Sequence, residues 1–180
     1  ELINTQRRTP QGVILTHAHW DHILGIPGLL SVFGDLPILI HEAEASSLGR
    51  EGAKRLRQLA VSIDPSQRSI PLALWEQLPE PTTLLVDGSR IDACDITVLQ
   101  LPGNPRVDLS CIDDAATTVF TGDTLFAGTI GRTDLPGSDP EAILVGIREK
   151  LAGLPLETVV HPGHGPSTTI GRELQFNPWL

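Results

Sequence analysis

Thr16-His17-Ala18-His19-Trp20-Asp21-His22 puts four side chains able to ligate a metal, His17, His19, Asp21 and His22, within six residues. The stretch is entered from Gly12-Val13-Ile14-Leu15, a short apolar run rich in β-branched residues, which reads as a buried strand over 12–16 delivering a polar cluster at its C-terminal end. Neutral imidazole and carboxylate bind Zn²⁺ at about 2.0 to 2.2 Å. The alternating spacing lets His17 and His19 converge on one ion while Asp21 and His22 face a second. An exposed polar loop is the plainer alternative, and it leaves the density of ligand-type residues without a cause.

Working outward, residues 37–40 form a second strand-like run ending at His41, and 42–59 have helical composition interrupted by Gly49 and Gly52. Residues 64–81, with Pro65, Pro71, Pro79 and Pro81, read as a surface loop. Strand-like pieces follow at 83–86, 96–101, 110–113 and 117–121, and Asp139-Pro140-Glu141 opens a helix that carries Ile143, Leu144, Ile147 and Leu151 on one face. A last strand, 158–160, runs into His161-Pro162-Gly163-His164-Gly165. Strands interleaved with helices predict one mixed α/β layered domain over residues 1–180, with its polar clusters at strand ends.

Two further residues join the list. Asp123 follows a strand and a glycine, where an Asp taken alone is more often a turn former but where its two oxygens could hold two cations. His164 lies between two glycines that permit a tight turn beside a metal; alone it could be simply exposed. His41 and His161 fall in no such cluster, and structural or supporting roles are expected for them.

The chain has 180 residues, 40% of them hydrophobic, enough for one sizeable core. A net charge of -9 and no clustering of Lys and Arg argue against a nucleic-acid surface. No apolar run approaches the roughly 18 to 20 residues of a membrane-spanning helix. Cys94 and Cys111 do not form a disulfide framework, and a reducing, cytoplasmic setting is expected. The chain begins at Glu1 and holds no Met, so a preceding segment is expected to be missing.

The motif T-H-x-H-x-D-H resembles the hallmark of the metallo-β-lactamase superfamily, and further pieces match in order. Phe120-Thr121-Gly122-Asp123-Thr124-Leu125-Phe126 is similar to the segment whose Asp bridges two metals, and Pro162-Gly163-His164-Gly165-Pro166 to the one giving the last histidine. Gly131-Arg132-Thr133-Asp134-Leu135-Pro136-Gly137 resembles a loop of glyoxalase II-like members. The ending, Thr168-Thr169-Ile170-Gly171-Arg172-Glu173 to Asn177-Pro178-Trp179-Leu180, resembles that of their short bacterial relatives, the hydroxyacylglutathione hydrolase-like enzymes. The resemblance implies an αββα four-layer sandwich whose first strands are missing here, and one or two Zn²⁺ ions held by His17, His19, Asp21, His22, Asp123 and His164, with iron or manganese as alternatives. It implies hydrolysis of a small-molecule thioester such as S-lactoylglutathione by metal-bound hydroxide, with Asp21 as the catalytic carboxylate. Members that use a Cys ligand for β-lactam hydrolysis have it where Asp123 stands, and flavin-linked members have an acid where His19 stands.

One position departs from the pattern. Members usually read T-P-G-H-T-x-G-S where this chain has Leu101-Pro102-Gly103-Asn104-Pro105-Arg106-Val107-Asp108, so Asn104 stands at a ligand His. An amide oxygen is a poor Zn²⁺ ligand beside imidazole, and Pro105 restricts Asn104 to extended backbone. The set Asp21, His22, His164 and Asp123 remains complete, which predicts about one tightly held metal per chain. The altered position leaves open a second reading, a non-catalytic or weakly active metal-binding relative.

Overall fold

The computed structural model describes residues 9–101, 108–113, 115–134 and 139–180. The chain divides into two compact units, Glu1–Leu84 and Leu85–Leu180, each with its own apolar cluster.

In the first unit β1 (Val13–Ile14) runs parallel to β2 (Ile38–His41), with Val13 opposite Ile38 and Ile14 opposite Leu39. Leu15 N–H still donates to Leu39 O at 2.8 Å, so the ladder reaches the residue before Thr16. β3 (Thr83–Leu85) flanks the other side of β2. Among the described residues, helices α1 (Trp20–Ile23), α2 (Ile26–Phe33), α3 (Gly49–Ile63) and α4 (Leu72–Glu76) accompany this sheet. Leu15, Ala18, Ile23, Ile38, Ile40, Leu56 and Trp75 share one core.

Two expectations for this unit are corrected. The helical run over 42–59 does break at Gly49, where the 3₁₀ turn Glu42–Ser47 has ended and the helix begins at φ +67°, a conformation side chains resist, but Gly52 does not interrupt it and sits buried in its first turns. A Cβ on Gly52 would lie 2.5 Å from Ser46 O and from the Ser47 carbonyl carbon, so the missing side chain is what lets the helix lie on the preceding 3₁₀ turn, Glu42–Ser47. Gly52→Ala is therefore expected to destabilise by about 1 to 3 kcal/mol through overpacking, against the roughly 1 kcal/mol that alanine's helix propensity would add. A urea midpoint that rises in the variant would contradict this.

The second correction concerns 64–81, which is not a bare loop. Asp64 caps a 3₁₀ turn, Pro65–Ser69, by accepting from Ser66 N–H at 3.0 Å, and α4 follows, burying Trp75 to 1% exposure with Leu78 beside it. Five helical residues are too few to show a period, so burial of one large ring decides the conformation.

The second unit is built on a six-stranded sheet, β4 (Arg90–Ile91), β5 (Ile96–Leu101), β6 (Asp108–Asp113), β7 (Thr118–Gly122), β10 (Val159–Pro162) and β11 (Thr168–Thr169), in the spatial order β11-β10-β7-β6-β5-β4. The pairs are antiparallel except β7 with β10, which are parallel. β8 (Leu125–Phe126) and β9 (Thr129–Ile130) form a separate hairpin. Helix α5 (Pro140–Gly146) starts as its sequence predicts, Asp139 accepting from Ala142 N–H at 3.0 Å, and runs on through a π turn, Ile147–Leu151. Ile143, Ile147 and Leu151 pack with Val119, Val160 and Ile170, the last from α6 (Ile170–Phe176). Because β7 and β10 are parallel, their C-terminal ends open at the same edge of the sheet, and Asp123 and His164 lie just past those ends.

Cys94 is exposed and Cys111 buried, both as free thiols; burial pushes Cys111 up to about 11, which keeps it protonated and unreactive at neutral pH. No helix among the described residues is long and apolar enough to cross a membrane.

Candidate metal centre

The first group of ligand-type side chains lies where β1 ends. His17 is completely buried. Its Nδ1 sits 3.1 Å from Thr16 Oγ1, which engages that ring nitrogen and turns Nε2 toward His19 Nδ1, 2.9 Å away. Two imidazole nitrogens facing each other so closely either share a proton or point their lone pairs at one cation. Bound to a tetrahedral zinc they would stand about 3.3 Å apart, so the pair needs little adjustment to fit the ion. The His22 ring lies 4.3 Å from that of His17, centroid to centroid. His19 caps α1 with extended backbone, which leaves Asp21 and His22 on the first turn of that helix; His22 Nε2 is 3.8 Å from Asp21 Oδ2. The Asp21 side chain is 45% exposed and that of His22 16%.

Glu44 carries no local signal of a role. It is 5% exposed, and its Oε2 accepts from Ala18 N–H at 3.3 Å, holding the backbone between His17 and His19. A carboxylate inside a helical-looking run reads like its neighbour Glu42, which is exposed; only the fold separates them. His41 is buried as well, and its Nδ1 accepts from Ala43 N–H at 3.2 Å to cap the 3₁₀ turn, a structural role.

The second group lies in the other unit. Asp123 follows Gly122, whose φ of +50° starts a tight turn closed by Thr124 N–H on Thr121 O at 3.1 Å. Gly163 N–H donates to Gly122 O at 2.7 Å, which ties the turn carrying His164 to the turn carrying Asp123. His164 Nε2 stands 3.7 Å from Asp123 Oδ1, with the His side chain 56% and the Asp side chain 16% exposed. Gly131 closes over this turn: a Cβ there would lie 2.0 Å from Asp123 O. Gly131→Ala is thus expected to push the Asp123 turn out of place, costing about 1 to 3 kcal/mol of stability as overpacking does. Thermal melting together with zinc titration checks it, and a variant that melts and binds like the parent would refute it.

Elsewhere, Arg132 pairs with Asp134 through Nε and Nη2, both at 2.9 Å, an exposed pair in which the guanidinium holds the carboxyl below the usual carboxylate range. His161 is engaged with Ser167 Oγ at 2.8 Å and stacks on Phe120. Asn104 lies outside the described residues.

Comparison with known proteins identifies the family. The family model of the metallo-beta-lactamase superfamily matches residues 1–164. The chain is 33% identical over 186 residues to the probable metallo-hydrolase YqgX of Bacillus subtilis, covering 100% of this chain and 80% of that one. It is 41% identical over 91 residues to the hydroxyacylglutathione hydrolase GloC of Haemophilus influenzae, covering 51% of this chain and 43% of the other. The solved structure of TTHA1623 in a di-iron-bound form matches with a TM-score of 0.78 at 36% identity, over 99% of this chain and 82% of that one.

The chain therefore belongs to the metallo-beta-lactamase superfamily, and the α/β fold class implied by its motifs is borne out. That membership places it among metal-dependent hydrolases.

Proposed function

We propose that the protein is a zinc-dependent hydrolase of a small-molecule thioester, S-lactoylglutathione being the representative substrate. The observation that carries this reading is the facing pair of ring nitrogens, His17 Nε2 and His19 Nδ1 at 2.9 Å, in a loop that also brings Asp21 and His22. By the resemblance of their motifs, Asp123 and His164 are counted in the same ligand set. A divalent cation held there supplies Lewis acidity, which acidifies a water and polarises a carbonyl. Asp21, open to solvent, orients the attacking water and takes its proton. Thr16 and Glu44 keep the loop in place, one at the far nitrogen of His17 and the other at the backbone of Ala18. A thiol leaving group, with a pKa of about 8.5, departs without a dedicated acid, which suits a site rich in ligands and poor in proton donors.

The thioester is supported by the likeness to GloC over half of the chain. Zinc follows from the imidazole and carboxylate donors; iron is the main competitor, since TTHA1623 is described in a di-iron-bound form. Asn104 favours a second reading, a metal-binding relative with little or no turnover. Protein loaded separately with zinc, iron and manganese should be assayed on S-lactoylglutathione, an acyl thioester without glutathione, and a β-lactam. Turnover of the first with zinc supports the proposal. Metal binding without thioester turnover gives the second reading, and β-lactam turnover alone overturns the substrate class.

A further inference from the structure

Helix α6 carries Glu173, 1% exposed on the inner side of the second unit. A carboxylate is left so deep only when its oxygens are fully met by donors. Thr168 Oγ1 donates to Oε1 at 2.6 Å, Gly128 N–H to Oε2 at 2.8 Å, and Asn177 Nδ2 to Oε2 at 2.9 Å. Asn177 uses its second amide proton on Thr129 O at 3.0 Å. Two of these bonds thus end on the backbone of the β8–β9 hairpin, one at Gly128 in the turn, where φ is +78°, and one at Thr129, the first residue of β9.

That hairpin is the frame of the Asp123 turn. It begins two residues after Asp123, where Leu125 O accepts from Thr121 Oγ1 at 2.8 Å. It is followed by Gly131, whose N–H donates to Thr124 O at 3.0 Å and where a Cβ would lie 2.0 Å from the Asp123 carbonyl oxygen. A shift at Gly128 and Thr129 would therefore be felt on both sides of Asp123. We infer that Glu173 is a positioning residue, which fixes the Asp123 carboxylate through the 125–130 hairpin. This rests on Asp123 being a metal ligand, as proposed above.

The test is cobalt(II) titration of the full chain, well below its melting temperature, reading affinity and the ligand-field absorption bands. Glu173→Ala is expected to weaken cobalt binding about 10 to 100-fold, as changes behind a ligand do, and to alter the bands. Glu173→Gln should bind within about 2-fold of the parent: the Thr168 hydroxyl can turn to accept from the new amide, whose oxygen keeps Gly128 and Asn177. Thr168→Val, which removes the bond pointing away from the hairpin, should lower stability and leave the bands alone. If Glu173→Ala does not fold, Asn177→Ala decides, since it cuts the tie to Thr129 O and should give a smaller change of the same kind. A destabilised alanine variant, or in that event Asn177→Ala, with unchanged affinity and bands overturns the inference. A parent chain that binds no cobalt overturns the metal reading of Asp123 and this inference with it.

Discussion

Asp123→Asn is expected to lose the tightly held metal and to lower thioester turnover by at least about 100-fold, the upper end of what a change merely behind a ligand costs. Asparagine fits the same space, and the turn around Asp123 is closed by groups other than its carboxylate: Thr124 N–H on Thr121 O, Thr121 Oγ1 on Leu125 O, and Gly163 N–H on Gly122 O. The metal-free variant should consequently melt close to its parent, within the roughly 0.5 kcal/mol typical of mild substitutions. What it loses is a charge able to face a cation with both oxygens, and the approach of His164 Nε2 to 3.7 Å shows which partner that charge has in its own unit. A metal at 100 times its Kd stabilises the folded chain by about 2.7 kcal/mol. At about 2 to 4 °C per kcal/mol for a chain of this size, that is roughly 5 to 10 °C of melting temperature. Melting curves with zinc and with a chelator should separate by that interval in the parent and coincide in the variant. An Asn variant that keeps both its zinc and its interval would remove Asp123 from the ligand set.

How much of this was legible follows from what each residue's neighbours in sequence reveal. The loop from His17 to His22 announces itself because ligand chemistry is concentrated in adjacent positions and delivered by an apolar strand. Helix α5 was readable because Asp139 and Pro140 mark its first turn and Ile143, Ile147 and Leu151 keep one face. Helix α2 was not, since Ile26-Pro27-Gly28-Leu29-Leu30-Ser31-Val32-Phe33 is apolar nearly all round and opens with Pro and Gly, so no polar face sets a period. Glu44 and Glu173 escaped for a different reason. Glu44 is met by a donor distant in sequence, Ala18, and Glu173 by distant Gly128 as well as by its neighbours Thr168 and Asn177, whose side chains do not by themselves mark the acid as buried. The glycine at 52 misleads in the same way, because what it accommodates, the Ser46–Ser47 backbone, is a packing contact and not a break. Local rules identify groups that do chemistry; the groups that hold them still are found only by packing.

Asn104→His carries the largest expected gain. The sequence expectation is about one tightly held metal per chain, because an amide oxygen replaces imidazole beside His17 and His19. Restoring imidazole should add a second metal that survives dialysis and raise kcat/KM for a thioester by more than about 10-fold, the lower bound set by changes that only support a ligand. By the family resemblance, the histidine expected at this position shares an ion with the H-x-H pair, and three nitrogens are a set that zinc accepts readily. Pro105 is the complication, since it confines the preceding residue to extended backbone where relatives have Thr. The double variant Asn104→His with Pro105→Thr therefore belongs in the same series. Gain in both variants makes ligand identity the whole of the defect, and gain in the double variant alone adds the loop's shape to it. If neither variant takes up a second metal, position 104 does not correspond to the ligand histidine, and the prediction of a weakened first site falls with it.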